Sequence, residues 1–190
     1  MYIVGVPQVL VKQICLYLWL YILFMQLNSR HVFDRRFVAV TIAGLYTILP
    51  FLVLCIYNQP SVDDFEYAVR GNQNNFLAAQ ADTYLNWSGR YFATALSRIN
   101  PIRYESFAGY KLSSLILILS FLLALYLFIS TLSRKLPAKE RYALSILASV
   151  ILIVQMPDIS RGFYYMTHYL VYQLPNILSL LLLVLIIRLF

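Results

Sequence analysis

The chain has 190 residues, of which 61% are hydrophobic and only 12% are charged. Soluble domains carry about a quarter charged residues, so this composition excludes an ordinary soluble domain and predicts an integral membrane protein. The net charge of +7 does not indicate nucleic-acid binding, because the basic residues lie in short segments between apolar runs, as membrane orientation favours.

Apolar runs along the chain approach the length of a membrane-spanning helix, which needs about 20 mostly apolar residues. The first run contains Lys12 and is either a span or a helix in the membrane plane; we predict a span. The five predicted spans are 8–27, 37–57, 112–132, 142–157 and 172–190. They predict an all-α fold, a polytopic transmembrane helical bundle that forms a single membrane domain over residues 1–190. The last run is still apolar at Phe190, which is typical of a truncated or partly represented chain.

Lys and Arg cluster in two short segments, 28–36 and 133–141. This clustering predicts that both segments face the cytoplasm. Segments 58–111 and 158–171 then lie on the outer side of the membrane. In 58–111 the acidic residues nearly balance the basic ones, unlike in the inner segments, so we predict a large outer loop with its own structure.

The outer loop begins with charged residues that have helical spacing. Ser61 and Asp64 have the spacing of a capping box, in which the carboxylate accepts a hydrogen bond from the backbone N–H of Ser61. Glu66 and Arg70 have the i, i+4 spacing of a helical ion pair. Because a capping box uses one carboxylate, these structural roles leave Asp63 unexplained.

Two stretches of the outer loop have the periodicity of amphipathic helices. In the first, one side is formed by Val62, Phe65 and Val69. The second stretch is 76–99, and its apolar side is formed by Leu77, Ala81, Tyr84, Leu85, Ser88, Phe92, Ala95 and Ile99. Both patterns predict amphipathic interfacial helices that lie on the membrane surface or cap the bundle.

An acidic pair in the first large outer loop resembles the GT-C class of membrane glycosyltransferases. The pattern D-D-F-x-Y at 63–67, followed by Y-x-x-W-S-G-R-Y at 84–91, resembles the N-terminal part of a bacterial group within this class. A later motif of that group fits Y-Q-L-P at 172–175. Tyr165 and His168 stand where the group tends to have Trp and Gly.

The resemblance implies a transferase that moves a sugar from a polyprenyl-phosphate donor to a glycan or lipid acceptor. The reaction would take place on the extracytoplasmic side of the bacterial inner (plasma) membrane. The implied partners are the lipid bilayer, the donor and the acceptor. We expect no nucleic-acid partner. Members of the class have more spans than this chain shows, so the resemblance also implies the N-terminal part of such an enzyme.

Glycosyl transfer needs a base that removes the proton of the acceptor hydroxyl. We predict Asp63 as this base, with Asp64 as its neighbour or as a group that orients the acceptor. The leaving group is a lipid phosphate, which a guanidinium can bind through two oxygens. Arg90 is the first candidate for this role, and Arg161 and Arg98 are second candidates. Arg90 is also suited to pairing with Asp82 or Asn86 across helical turns, or to binding ordinary lipid phosphate.

Ring-bearing side chains of the outer segments are candidates for contacts with the sugar or the lipid. They are Trp87, Tyr91, Tyr67 and His168. Trp87 and Tyr91 are also typical of anchors at the membrane interface, and His168 of an interfacial histidine. We predict no cofactor and no metal, because a divalent cation needs more oxygen ligands than the acidic pair and its segment offer.

Two other functions remain open from the sequence. A transporter or flippase needs ionisable residues near the middle of its spans, and the spans contain only Lys12 and, near the end, Arg188. A small non-catalytic membrane subunit is the other alternative, and it predicts a reading frame that ends near Phe190.

Overall fold

A computed structural model describes residues 30–73, 75–86 and 89–189. Within these ranges the chain forms helices and helical turns and no strand, which confirms the all-α prediction for this part. The chain divides into two compact units, residues 1–39 and 40–190. In the first unit, the described residues 30–39 begin a long helix. The predicted span 8–27 lies outside the described residues.

Seven α-helices follow one another in the described chain. They are α1 (Arg30–Tyr57), α2 (Val62–Gln73), α3 (Phe76–Asn86), α4 (Tyr91–Arg98), α5 (Phe107–Leu132), α6 (Ala138–Val154) and α7 (Met166–Leu189). A 3₁₀ turn at Pro101–Tyr104 precedes α5, and a π-helical turn at Ser160–Tyr164 precedes α7.

Three described helices are long and apolar enough to span a membrane: Phe37–Tyr57 within α1, the whole of α5, and α7. Such helices are typical of an integral membrane protein. The first agrees with the predicted bounds, whereas α5 and α7 begin before residues 112 and 172. The predictions followed apolar runs, but a helix begins where its first N–H groups are capped. At α5 the Ser106 hydroxyl accepts from the Gly109 N–H at 3.1 Å.

Helix α6 covers most of the predicted span 142–157, but it is shifted towards the N-terminus and has 17 residues. At 1.5 Å per residue it measures about 26 Å, somewhat less than the hydrocarbon core of a bilayer. Its assignment as a span stays a prediction. Gly44 of α1 allows Ile146 of α6 to approach closely, since a Cβ atom added at Gly44 would lie 2.0 Å from Cγ2 of Ile146.

The core of the second unit lies where α5, α7 and the π-helical turn meet. Phe121 of α5 packs against Phe163 of that turn, with their ring centroids 5.6 Å apart. Ile118 and Ile153 are fully buried in the same cluster. This packing fixes the start of α7 against α5, and the candidate site is built at that junction.

The prediction of one continuous helix over 76–99 is wrong. Helix α3 ends at Asn86 and α4 begins at Tyr91, and Gly89 in the break has a low helix propensity. Most of the predicted apolar side of this stretch is exposed, with Leu85 at 76%. Small and polar side chains face the protein instead: Ala79, Thr83, Thr94, Ser97 and Arg98.

The apolar stripe of helix α2 is exposed as well. Val62, at 83% exposure, and the exposed Phe65 and Val69 point away from the protein, whereas Asp64 and Ala68 are buried. Helix α2 packs against α4 and the 3₁₀ turn through this more polar side. The apolar stripe is therefore left on the outside of the segment between α1 and α5.

Candidate functional site

The side chain of Asp64 closes the predicted capping box at the start of α2. Its Oδ2 atom accepts hydrogen bonds from the backbone N–H and the hydroxyl of Ser61, each at 2.9 Å. The predicted ion pair between Glu66 and Arg70 is also present. Both local predictions are confirmed, and they place Asp63 in the first turn of α2.

Asp64 also has long-range partners that the capping box did not predict. Its Oδ2 atom lies 2.6 Å from the hydroxyl of Tyr110 in α5. Its Oδ1 atom accepts from the backbone N–H and the hydroxyl of Thr167, at 2.8 and 2.6 Å. Thr167 lies in the first turn of α7, so the carboxylate caps that helix too, where the helix dipole favours a negative charge.

The burial of Asp64 is complete, at 0% exposure. A buried carboxylate is tolerated when hydrogen bonds replace its hydration, and here the donors come from Ser61, Tyr110 and Thr167. Asn100 binds the backbone of the same residue, with its Nδ2 atom 3.1 Å from the Asp64 carbonyl. Asp64 therefore joins α2 to α5, α7 and the 3₁₀ turn.

A second buried network holds the π-helical turn in front of α7. Asn58 Nδ2 donates to the Tyr164 carbonyl at 2.9 Å and to the Ser114 hydroxyl at 2.7 Å. The Tyr164 hydroxyl donates to the Phe51 carbonyl at 2.8 Å. Burial raises the pKa of Tyr164, so its hydroxyl keeps the proton that it donates. These bonds fix the approach of the chain to α7.

An open cleft of about 220 Å³ lies between α2, α4 and the start of α7. Its walls combine charged groups, hydroxyls and aromatic rings. They are formed by Asp63, Glu66, Tyr67, Arg90, Ala93, Thr94, Ser97, Thr167, His168, Val171 and Tyr172. Four candidate residues that are distant in the sequence, Asp63, Tyr67, Arg90 and His168, therefore line one cleft.

Polar and aromatic groups of the cleft face one another across its walls. Oδ2 of Asp63 lies 3.9 Å from Nε2 of His168, within ion-pair range but longer than a hydrogen bond. The guanidinium carbon of Arg90 lies 6.0 Å from the centroid of the Tyr172 ring, a cation–π distance. Burial raises the pKa of Tyr67, so its hydroxyl stays protonated further into the alkaline range than that of an exposed tyrosine. The cleft thus offers a half-exposed carboxylate, a guanidinium and neutral hydroxyls.

Two candidate arginines lie elsewhere. Arg98 does not line the cleft; it is buried, and its Nη2 atom donates to the Ala79 carbonyl at 2.9 Å and to the Thr83 hydroxyl at 2.6 Å. Burial lowers the pKa of Arg98. Arg161 is exposed outside the cleft, and its Nε atom pairs with Asp158 at 3.0 Å. Arg98 thus fastens α4 to α3, and Arg161 braces the turn before α7.

The remaining candidates divide in the same way. Tyr91 is exposed and does not line the cleft. Asp64 is fully buried and does not line the cleft either. Trp87 lies outside the described residues. Among the described residues, no group of three or more His, Cys, Asp and Glu side chains is arranged to hold a metal ion.

Several residues that line the cleft were not predicted as site residues from the sequence. Glu66 was explained by its ion pair, and it lines the cleft while keeping that pair. Thr167 carried no local signal, because its partner Asp64 is far away in the sequence. The sequence singles out Tyr172 only as part of the Y-Q-L-P motif. Position in that motif was the one signal that could have placed Tyr172 at the site.

Comparison of the chain with protein-family models, with curated proteins and with solved structures found no match.

Proposed function

We propose that the chain is a membrane glycosyltransferase of the GT-C type, or the N-terminal part of one. It transfers a sugar from a polyprenyl-phosphate donor to a glycan or lipid acceptor on the outer side of the bacterial inner membrane. The observation that carries the proposal is the cleft, in which the half-exposed Asp63 and the guanidinium of Arg90 occupy walls of one cavity. Three helices long enough to span a membrane belong to the same chain.

Each wall of the cleft has a chemical role in this reaction. Asp63 takes the proton of the acceptor hydroxyl while the acceptor oxygen forms a bond to the anomeric carbon. The bond between that carbon and the donor phosphate breaks, and its electron pair stays on the phosphate oxygen. Arg90 binds the phosphate as its negative charge develops. The rings of Tyr67 and Tyr172 offer faces against which a sugar can pack.

The proposal includes a membrane arrangement. Helices α2, α3 and α4 lie on the outer leaflet, and their exposed apolar side chains, including Val62, Leu77 and Leu85, enter it. This orientation is supported by the short connections of the segment to Tyr57 and Phe107, the ends of two candidate spans. It brings the cleft to the depth of the donor phosphate. In this arrangement α6 is a further span and the protein is polytopic.

The test compares two carboxylates of the same segment. Bacterial membranes carrying the chain are supplied with polyprenyl-phosphate-linked radiolabelled hexoses and pentoses, and transfer to endogenous acceptors is measured. We expect Asp63→Asn to lower transfer by about 100-fold or more, the contribution typical of a general base. Asp82→Asn is the matched control, since Asp82 is exposed on α3 and does not line the cleft.

Equal amounts of each variant in the membrane, measured by immunoblot, make the rates comparable. Transfer that is undiminished in Asp63→Asn would show that Asp63 is not the base. The absence of transfer from every donor by the unaltered chain, both alone and within any longer protein that contains it, would remove the proposed activity altogether.

A further inference from the structure

Two pairs of neighbouring residues meet where the first turns of α2 and α7 approach each other. Asp64 accepts two hydrogen bonds from Thr167. The residue before Asp64 is Asp63, and the residue after Thr167 is His168, and these two are 3.9 Å apart at Oδ2 and Nε2. The buried Asp64–Thr167 contact and the Asp63–His168 contact in the cleft are therefore formed by adjacent residues on each helix.

The buried pair is held more firmly than the pair in the cleft. Asp64 has no exposed surface, and its other oxygen is bound by Ser61 and Tyr110. Successive residues on a helix point about 100° apart, so the burial of Asp64 turns Asp63 away from the core. The side chain of Asp63 is 52% exposed, and it reaches the cleft as a consequence of where its neighbour is bound.

The ring of His168 presents one nitrogen to the cleft. Its Nδ1 atom is buried and has no hydrogen-bond partner among the described residues, whereas Nε2 faces Asp63. The ring of Tyr165, with its centroid 6.1 Å from that of His168, lies beside it. The orientation of His168 towards Asp63 therefore follows from its place on α7, one residue after Thr167.

We propose that the contact between Asp64 and Thr167 is a positioning device that sets the separation of Asp63 and His168. The second carboxylate of the acidic pair is then a positioning residue for the first. The role of Asp63 as a base rests on the proposed function. The separation of Asp63 and His168 is a property of the fold and is testable without any sugar donor.

The first test measures that separation by chemical cross-linking. Asp63→Cys and His168→Cys are combined in the full chain, which leaves the Asp64–Thr167 contact intact. A short bifunctional methanethiosulfonate reagent is applied in native membranes, and mass spectrometry identifies the linked peptides. Adding Thr167→Val removes the 2.6 Å hydroxyl bond to Asp64, and we expect the cross-linking yield to fall several-fold.

Two further variants separate positioning from general loosening of the helix. Thr167→Ser keeps a hydroxyl donor and is expected to keep the parent yield. Tyr169→Phe removes another buried hydroxyl of α7, which donates to Ser113 at 2.8 Å outside the contact, and is also expected to keep it. An unchanged yield in Thr167→Val overturns the proposal, and so does an equal fall in all three variants. If Thr167→Val does not accumulate in membranes, Tyr110→Phe replaces it with the same expected fall, since it loosens Asp64 from outside the cleft.

A second readout uses the transfer reaction. With Asp63 and His168 unaltered, Thr167→Val is expected to lower kcat by about 100-fold with a smaller change in the KM for the donor, because displacement of a catalytic group by about 1 Å costs that much. Thr167→Ser should restore most of the rate. If Asp63→Asn transfers normally while cross-linking behaves as expected, Asp63 is not the base and the positioning device stands. If the unaltered chain transfers from no donor while cross-linking behaves as expected, the proposed function fails and the positioning device still stands.

Discussion

The Oδ2 atom of Asp64 lies 2.6 Å from the Tyr110 hydroxyl, at a position where Asp64 has no exposed surface. Asp63, the preceding residue, has a half-exposed carboxylate that lines the cleft. Two adjacent acidic residues thus occupy opposite environments. One organises three helices from the inside, and the other is available to a substrate.

This division predicts that the two carboxylates differ in their effect on stability. Both carboxylate oxygens of Asp64 accept hydrogen bonds. Asp64→Asn replaces one of these oxygens by an NH2 group, which cannot accept them. We therefore expect the free energy of unfolding to fall by about 2–4 kcal/mol. Asp63→Asn alters an exposed group and should change it by less than about 0.5 kcal/mol. Thermal unfolding in detergent micelles, followed by the helical circular dichroism signal, measures both. Equal melting temperatures for the two variants would contradict the buried role of Asp64.

The approach of α1 and α6 predicts a difference between two glycines. In Gly44→Ala the new Cβ atom meets the Ile146 side chain, and we expect a loss of about 1–3 kcal/mol from overpacking. At Gly89 an added Cβ atom meets nothing within 4 Å, so Gly89→Ala should be neutral or slightly stabilising, by less than about 1 kcal/mol. Combining Gly44→Ala with Ile146→Ala should remove the clash but leave the cost of the shortened Ile146. The same unfolding experiment applies, and equal effects at the two glycines would refute the close helix contact.

The positions of the arginines predict different kinetic effects. Arg90 lines the cleft beside Tyr172, whereas Arg161 lies outside it and pairs with Asp158. Loss of a hydrogen bond to a charged group costs about 1.5–3 kcal/mol, so Arg90→Gln should raise the KM for the donor by roughly 10- to 100-fold. Arg161→Gln should leave it nearly unchanged. Initial rates at varied donor concentration give both values, and a larger effect at Arg161 would move the phosphate site out of the cleft.

The burial of Tyr164 predicts a dependence of stability on alkaline pH. Since burial raises the pKa of Tyr164 in the folded protein above its ordinary value of 10.0, the folded state holds this proton when the unfolded state has lost it. Stability should therefore fall as the pH rises above about 10. Tyr164→Phe should lose about 1 kcal/mol at pH 8, because the bond to the Phe51 carbonyl is removed. Its stability should fall less steeply in alkali, and parallel pH profiles would contradict this expectation.

Features that depend on near neighbours in the chain could be predicted from the sequence. The all-α class and the span 37–57 follow from long apolar runs, because a buried backbone in lipid must satisfy its own hydrogen bonds. The capping box of Ser61 and Asp64 and the ion pair of Glu66 and Arg70 follow from spacing within one or two helical turns.

Other features depended on contacts between distant segments. Periodicity placed an apolar stripe on α2 but could not say which side packs, and the protein buries Asp64 and Ala68 instead. Arg98 was a second candidate for the phosphate ligand, yet its side chain is bound within the α3–α4 pair. In both cases the choice depends on which partners are brought near, and spacing along one helix carries no such information.

The sequence by itself determined that this protein is helical, apolar enough for a membrane, and begins α2 with a cap that leaves Asp63 unexplained. Only the tertiary structure decided that Asp64 also caps α7 through Thr167, and that Asp63 shares a cleft with Arg90 and His168. The physical reason is the range of the interactions. Helix formation and capping act over a few residues, whereas a buried carboxylate is stabilised only where several segments supply donors at once.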